Sequence, residues 1–331
     1  MKVSGQELLA ALQGGIPLES RPFGHLAEEL GCREEDVITC VARCRSEGIV
    51  RRFGAVFDTR RLGYRSVLCA VRVPSDGLEA AAAAIVPLKG VTHCYVREPF
   101  DFAAGRSVSA DWPNLWFTLS YPADIFEARS DEVRARLASY DVRLLPATCR
   151  YKVDVVFGAA TRVRDESVAD DMPVTASDRA VIRVLQGDTE VRPDYFAALA
   201  AQAGMTEWDF LSRLELWRRS GRLRRIGLLL AHRKAGWTAN GMCCWQVTGE
   251  TQEAGRALAA CDEVTHCYER AVSPDFPYNL FAMVHARSAA EAAAAFRRLE
   301  EATGLSDGVM LISTKEHKKT SMTFFADSAT R

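Results

Sequence analysis

Two segments of the chain carry the same three chemistry-bearing side chains at alternate positions, His93, Tyr95 and Arg97 in one and His266, Tyr268 and Arg270 in the other. In an extended strand side chains alternate, so each trio projects from one face while Cys94 and Val96, or Cys267 and Glu269, project from the opposite one. From histidine to arginine the span is about 13 Å at roughly 3.3 Å per residue, comparable with the width of a large flat ligand. An imidazole titrates near neutrality and can serve as general acid. The tyrosine can orient that acid, and the guanidinium fork suits a carboxylate or phosphate. A solvated sheet face would explain one such run. It explains less well two runs that persist while most surrounding residues have diverged.

Other residues offer weaker chemistry. Arg51 and Arg52 precede Gly54 as Arg224 and Arg225 precede Gly227, a pattern that fits either anion binding with close backbone approach or capping of the preceding helix. His232 lies on the segment leading to Gly236-Trp237, with Thr59 at the equivalent earlier position. Lys152 and Lys318 occupy matching places near the ends of two terminal strands, where they contact an anionic ligand or guard an exposed edge. No metal site is expected. His-Cys neighbours alternate faces, Cys40 and Cys44 have no second pair, and no glycine-rich phosphate loop occurs.

The elements that must hold these residues come in two copies. One constant shift in numbering relates Arg51-Arg-Phe-Gly54 to Arg224-Arg-Ile-Gly227, Gly63-Tyr64 to Gly236-Trp237, and Val91-Thr-His-Cys-Tyr95 to Val264-Thr-His-Cys-Tyr268. Asn114-Leu-Trp-Phe117 matches Asn279-Leu-Phe-Ala282 only after a first-copy insertion of about eight residues within Phe100 to Pro113. Apolar spacing predicts helices near 5 to 14, 23 to 30 and 34 to 46, a helix-turn-helix-like unit repeated over 178 to 220. After it each copy reads as strand, helix, strand, strand, helix, strand, a ferredoxin-like βαββαβ order. The expected fold is therefore α+β by tandem duplication. Its expected parts are 1–50 and 178–223 as helical units, 51–158 and 224–331 as ferredoxin-like units, and 159–177 as linker. At 331 residues and 48% hydrophobic the chain can bury two cores. Absence of a long apolar run or a secretory pattern argues for a cytoplasmic protein off the membrane. Ten scattered cysteines do not read as a disulfide framework, and a formal charge of -1 gives no global attraction to a polyanion.

A helix-turn-helix unit followed by βαββαβ resembles the Lrp/AsnC regulators over nearly all of each copy. The finer motifs resemble a branch of that family that does not bind DNA, the sirohaem decarboxylases. These motifs are Arg51-Arg-Phe-Gly-Ala-Val-Phe57, Leu62-Gly-Tyr64, Thr92-His-Cys-Tyr-Val-Arg-Glu98, Asn114-Leu-Trp-Phe-Thr118 and Arg150-Tyr-Lys152, with Arg224-Arg-Ile-Gly227, Thr265-His-Cys-Tyr268, Tyr278-Asn-Leu-Phe281 and Ser313-Thr-Lys-Glu-His-Lys-Lys319 in the second copy. The resemblance implies loss of carbon dioxide from two acetate side chains of sirohaem, giving didecarboxysirohaem for haem or the specialised haem of denitrifying nitrite reductase. It implies no added cofactor, the iron being part of the substrate, and a fused chain acting as an intramolecular pseudo-dimer open to further self-association. His93, His266, Tyr95 and Tyr268 are then the expected catalytic groups. Arg51, Arg52, Arg97, Arg224, Arg225, Arg270, His232, Asn114, Asn279, Lys152 and Lys318 are the expected substrate contacts. One departure is Pro99, where the family continues Arg-Glu-His, so the insertion is expected to alter or cap the first copy's site. The alternatives are a ligand-sensing regulator and a non-catalytic haem-binding module. Against DNA, the first turns of the would-be recognition helices are acidic, Glu34-Glu35-Asp36 and Glu207-Trp208-Asp209, which suits a helix N-terminus and repels phosphate.

Overall fold

The computed structural model describes residues 4–107, 112–153, 173–231, 236–273 and 275–326. The first copy runs α1 (Gly5–Gly14), α2 (Pro22–Leu30), α3 (Glu34–Ser46), β1 (Val50–Phe57), β2 (Tyr64–Val71), α4 (Leu78–Ile85), β3 (Val91–Asp101), β4 (Arg106–Ser107), β5 (Leu115–Pro122), α5 (Phe126–Arg136) and β6 (Val142–Val153). The second runs α6 (Ala176–Leu185), α7 (Tyr195–Gln202), α8 (Glu207–Arg219), β7 (Leu223–Leu230), β8 (Ala239–Trp245), α9 (Gln252–Ala260), β9 (Val264–Arg270), β10 (Leu280–Ala286), α10 (Ala289–Thr303) and β11 (Val309–Lys319). Matching local chemistry starts the copies: Ser4 with Glu7 and Thr175 with Asp178 form capping boxes that satisfy the first amides of α1 and α6.

The chain divides into two compact units that cut across the copies. One gathers α1–α3 and β1 with α6–α8, β7 and the tail from Thr323. Strand β1, expected to open the first ferredoxin-like unit, instead pairs only with β7, antiparallel, with Gly54 opposite Gly227. The reason is steric. A Cβ on Gly54 would sit 2.5 Å from the Gly187 carbonyl oxygen at the end of α6, and one on Gly227 would sit 2.5 Å from the Leu12 carbonyl oxygen of α1. Each copy's strand thus receives the first helix of the other copy at van der Waals distance, which only glycine allows. Phe23, Phe53 and Tyr195 fill the adjoining core with mutually tilted rings.

The second unit holds the remaining strands and helices. Its strands run in the order β11-β8-β10-β9-β6-β2-β5-β3, and β11 also pairs with β3, so the eight close into a barrel. Within each copy the order is that of a ferredoxin-like sheet, β6-β2-β5-β3 and β11-β8-β10-β9. Closure comes from the last strands: β6 pairs with β2 through Pro146 and then with β9, while β11 pairs with β8 and then with β3. Among the described residues no strand edge is left exposed between the copies, and neither half-barrel is complete alone. Helices α4 and α5 cover one outer face around Val91, Cys94 and Phe117, and α9 and α10 cover the other around Val264, Cys267 and Phe296. Inside lie Ala70, Trp116, Leu145, Met242, Cys244, Phe281 and Leu311. The insertion belongs to this unit: Phe102 stacks on Phe296 of α10 with ring centroids 5.2 Å apart, and Trp112 packs against Phe276 and Tyr278.

Candidate active site

Strands β3 and β9 are separated by an even number of antiparallel pairings whichever way round the barrel is followed, so they run in the same direction. Both histidines consequently sit at one end and both arginines at the other. The alternation expected from sequence holds. Cys94 and Cys267 point out into the helix layers, while each trio faces inward. His93 lies 6.2 Å from Tyr95 between ring centroids and His266 lies 6.3 Å from Tyr268, the second pair nearly parallel at 18°. Behind each tyrosine comes the guanidinium, with Arg97 over Tyr95 at 5.1 Å and Arg270 over Tyr268 at 4.8 Å.

Closure of the barrel changes what the arginines do. The expected open face of ligand width is interior. Arg97 is only 5% exposed and gives both terminal nitrogens to Asn240 Oδ1 at 3.3 Å, and Arg270 donates to the Leu145 carbonyl at 2.8 Å. Burial pulls the Arg97 pKa down to about 10 and lowers that of Arg270 as well, in each case partly offset by the tyrosine. Arg97 is buried and Arg270 half-buried, so neither stands on an open face. Trp112 closely precedes Asn114, whose carbonyl accepts from the Arg97 amide, so this described residue of the insertion lies at the arginine end.

At the histidine end the strands bulge. The register slips between Val91 and His93, and again where Met283 pairs with His266 but Val284 pairs with Val264. Each bulge turns an extra residue, Thr92 or Thr265, to the same side as the imidazole that follows it, the re-aiming effect of a β-bulge. Thr92 Oγ1 lies 3.0 Å from His93 Nδ1 and 2.8 Å from Thr118 Oγ1. Thr265 Oγ1 lies 3.1 Å from His266 Nδ1, 3.1 Å from His285 Nδ1 and 3.2 Å from the Met283 carbonyl. Both imidazoles are therefore pinned through Nδ1. In-register partners share a face, which sets Lys319 beside His93, Arg150 beside Tyr268 and Glu316 beside Tyr95.

Several expected contacts are occupied elsewhere. Asn114 and Asn279 each exchange both amide functions with the backbone, of Val73 and Val247 respectively, and so tie strand ends together. Lys152 donates to the Cys261 carbonyl and Lys318 to those of Val86 and Leu88, so each lysine covers the C-terminal carbonyls of the other copy's first barrel helix. They are not edge guards, since β6 and β11 are paired on both sides. Arg52 belongs to the first unit, where it donates to Gln186 and Ala55 carbonyls. Burial, then the neighbouring Arg51, brings its pKa down to about 10. Arg224 pairs with Asp58 at 2.9 Å in the same unit, on the ribbon that also carries Arg51 and Arg225. Of the two roles weighed from sequence, anion binding and capping, Arg52 takes a capping one, at the end of α6 rather than of the preceding helix, while Arg224 forms an ion pair. His232 lies outside the described residues. A cavity of about 1020 Å³ opens in the first unit beside α8, and none of the expected site residues lines it. Sequence reasoning passed over Thr92, Thr265, Asn240 and His285. The threonines carried a signal, retention directly before the histidine in both copies.

Comparison with known proteins places this geometry in context. The AsnC-like ligand binding domain matches residues 61–152 and 234–318, and the siroheme decarboxylase NirDL-like HTH domain matches residues 6–51. A siroheme decarboxylase of Hydrogenobacter thermophilus is 33% identical over 98% of this chain and 96% of its own length. The siroheme decarboxylase beta subunit of Desulfovibrio desulfuricans is 40% identical over 45% of this chain and 94% of its own length, so one half of this chain corresponds to a separate subunit there. The crystal structure of the siroheme decarboxylase NirDL in complex with an iron-uroporphyrin III analogue superposes with a TM-score of 0.71 at 30% identity, covering 95% of this chain and 92% of that one.

Proposed function

The chain belongs to the sirohaem decarboxylase family, and on that premise we propose that it converts sirohaem to didecarboxysirohaem for haem-type biosynthesis with His93 and His266 as proton donors. In each step the bond between the acetate methylene and its carboxylate breaks, carbon dioxide leaves, and the bond pair stays on the methylene carbon next to the conjugated ring. One proton delivered there gives a methyl group. The electrons are accounted for by that proton, so the reaction needs no added redox cofactor and the iron enters as part of the substrate.

The observation that carries this reading is a pair of imidazoles at one barrel end, each fixed at Nδ1 by a bulged threonine and backed by a tyrosine and a guanidinium, buried for Arg97 and half-buried for Arg270. Fixing Nδ1 aims Nε2, the atom assigned to proton delivery. Tyr95 and Tyr268 hold the ring planes, and Arg97 and Arg270 hold the tyrosines from within. Carboxylates that survive the reaction fall to Arg150 and Lys319, which share the imidazole face. A clamp on the departing carboxylate would stabilise the ground state more than the transition state. The proposed setting is cytoplasmic and free of DNA. Among the described residues no helix is long and apolar enough to cross a membrane, and the first turns of α3 and α8 are acidic. Incubation of the purified chain with sirohaem without oxygen, followed by mass analysis, tests the proposal. Loss of two carbon dioxide units is expected, and recovery of intact sirohaem would overturn it.

A further inference from the structure

The two histidine sites are alike in sequence and unlike in what stands behind Nδ1. In the first, Thr92 meets another hydroxyl, that of Thr118. In the second, Thr265 meets a second imidazole, His285, at the same 3.1 Å that separates it from His266. The residue of the first copy that matches His285 is Ser120, whose hydroxyl does not gain or lose a proton near neutrality. We infer that His285 is a positioning residue that controls, through the Thr265 hydroxyl, whether His266 carries a proton on Nε2, and that it makes the second site the faster of the two. This rests on the decarboxylase reading and deepens it.

The argument follows from one hydroxyl having one proton and two lone pairs. When His285 is charged, its Nδ1–H donates to Thr265 Oγ1. The hydroxyl proton then turns to His266 Nδ1, and neutral His266 keeps its own proton on Nε2, ready to give. When His285 is neutral with Nδ1 bare, the hydroxyl donates to His285 instead. His266 must then carry its proton on Nδ1 to donate to the hydroxyl oxygen, and Nε2 is left as a base. Transfer in the active arrangement balances. A proton passes from His266 Nε2 to the methylene carbon, the Thr265 proton passes to His266 Nδ1, and the His285 proton passes to Thr265. His285 finishes neutral with its remaining proton on Nε2, and a solvent proton taken up at the vacated His266 Nε2 runs the shift in reverse through Thr265 and recharges His285. The Met283 carbonyl competes for the hydroxyl proton, so the relay operates only while an imidazole offers the better acceptor.

Several charged and titratable groups of the described residues stand around the pair. From β9 come Tyr268 and Arg270, and Arg150 of β6 is in register with Tyr268. From β8 Asn240 stands in register with His285 and carries the Arg97 guanidinium. Because the active arrangement requires a charged His285, the active state should fade as pH rises and that proton is lost.

Two measurements on the full chain test this. Nitrogen-15 NMR of the imidazoles without substrate should show His266 changing tautomer as His285 titrates in wild type and in Thr265→Ser, and titrating alone in Thr265→Val. Identical His266 titrations in wild type and Thr265→Val would overturn the relay, whatever the enzyme does. For turnover of sirohaem without oxygen, His285→Gln should lower kcat on the order of tenfold, less than the loss of the acid itself, with KM unchanged and the decline at high pH removed. Thr265→Ser should keep the wild-type profile. A His285→Gln enzyme with unaltered kcat and pH profile, or with a matching rise in KM, would overturn the assignment. Failure of wild type to decarboxylate sirohaem would count against the functional reading instead, and leaves the NMR result to decide the relay.

Discussion

The β1–β7 ribbon and the β3 and β9 strands present the same signal in sequence, a short charged motif kept in both copies, yet they do different things. On the ribbon, Arg52 ends on backbone carbonyls of the opposite copy, and Gly54 and Gly227 exist so that helix ends can approach. On the strands, the histidines end on side-chain hydroxyls at a barrel mouth. In a duplicated chain, residues are retained where the copies meet as well as where chemistry occurs. What separates the two cases is where the polar atoms finish, on the chain's own backbone or on groups able to exchange protons.

Substitutions can break that contrast or sharpen it. The largest effect should be His266→Ala, with kcat falling about 10²- to 10⁴-fold while the thermal midpoint stays near wild type. Unchanged turnover would remove His266 from the mechanism. On the ribbon the effect should reverse in kind. Gly54→Ala forces a methyl against two carbonyl oxygens, at 2.5 and 2.8 Å, and should destabilise by about 3 kcal/mol. Turnover per folded molecule should not change. Arg52→Met leaves the Gln186 and Ala55 carbonyls without their charged donor and should cost about 2 kcal/mol in denaturant titration, again with KM constant. A raised KM for Arg52→Met would return that arginine to the substrate and erase the distinction.

The duplication, the element order and the inward trio were legible because they rest on local pattern: helical spacing, strand alternation and a repeated register. Barrel closure was not. It depends on Leu311 to Lys319 meeting His93 to Pro99, and on Ala147 to Val153 meeting His266 to Arg270, pairings that alternation cannot specify. Once the barrel closes, an expected solvent face becomes interior, which is why Arg97 and Arg270 were read as ligand contacts. Thr92 and Thr265 were missed because strict alternation puts them opposite the histidines, and only the bulges bring them round. His285 lies in the apolar strand Leu280–Ala286 opposite a serine in the other copy, so a search built on repeats filters it out.

The smallest effect expected is a pH-dependent one, outside the barrel, where the copies again differ. Tyr151 of β6 lies against α9 with its hydroxyl within 3.0 Å of Thr251 Oγ1 and donating to Glu269 at 3.2 Å. Its counterpart on β11 is His317, whose Nε2 is buried without a hydrogen-bond partner. Burial lowers the His317 pKa from 6.5, opposed by Glu79. A histidine with a depressed folded pKa binds fewer protons folded than unfolded, so stability is lost as pH falls below about 6.5. The penalty grows until pH reaches the folded pKa and is constant below it. His317→Gln removes the titration, so its thermal midpoint relative to wild type should be flat above neutrality and should rise as the solution is acidified toward pH 5. A constant difference across that range would mean that His317 finds a partner for its proton in the folded chain, and the contrast with Tyr151 would disappear.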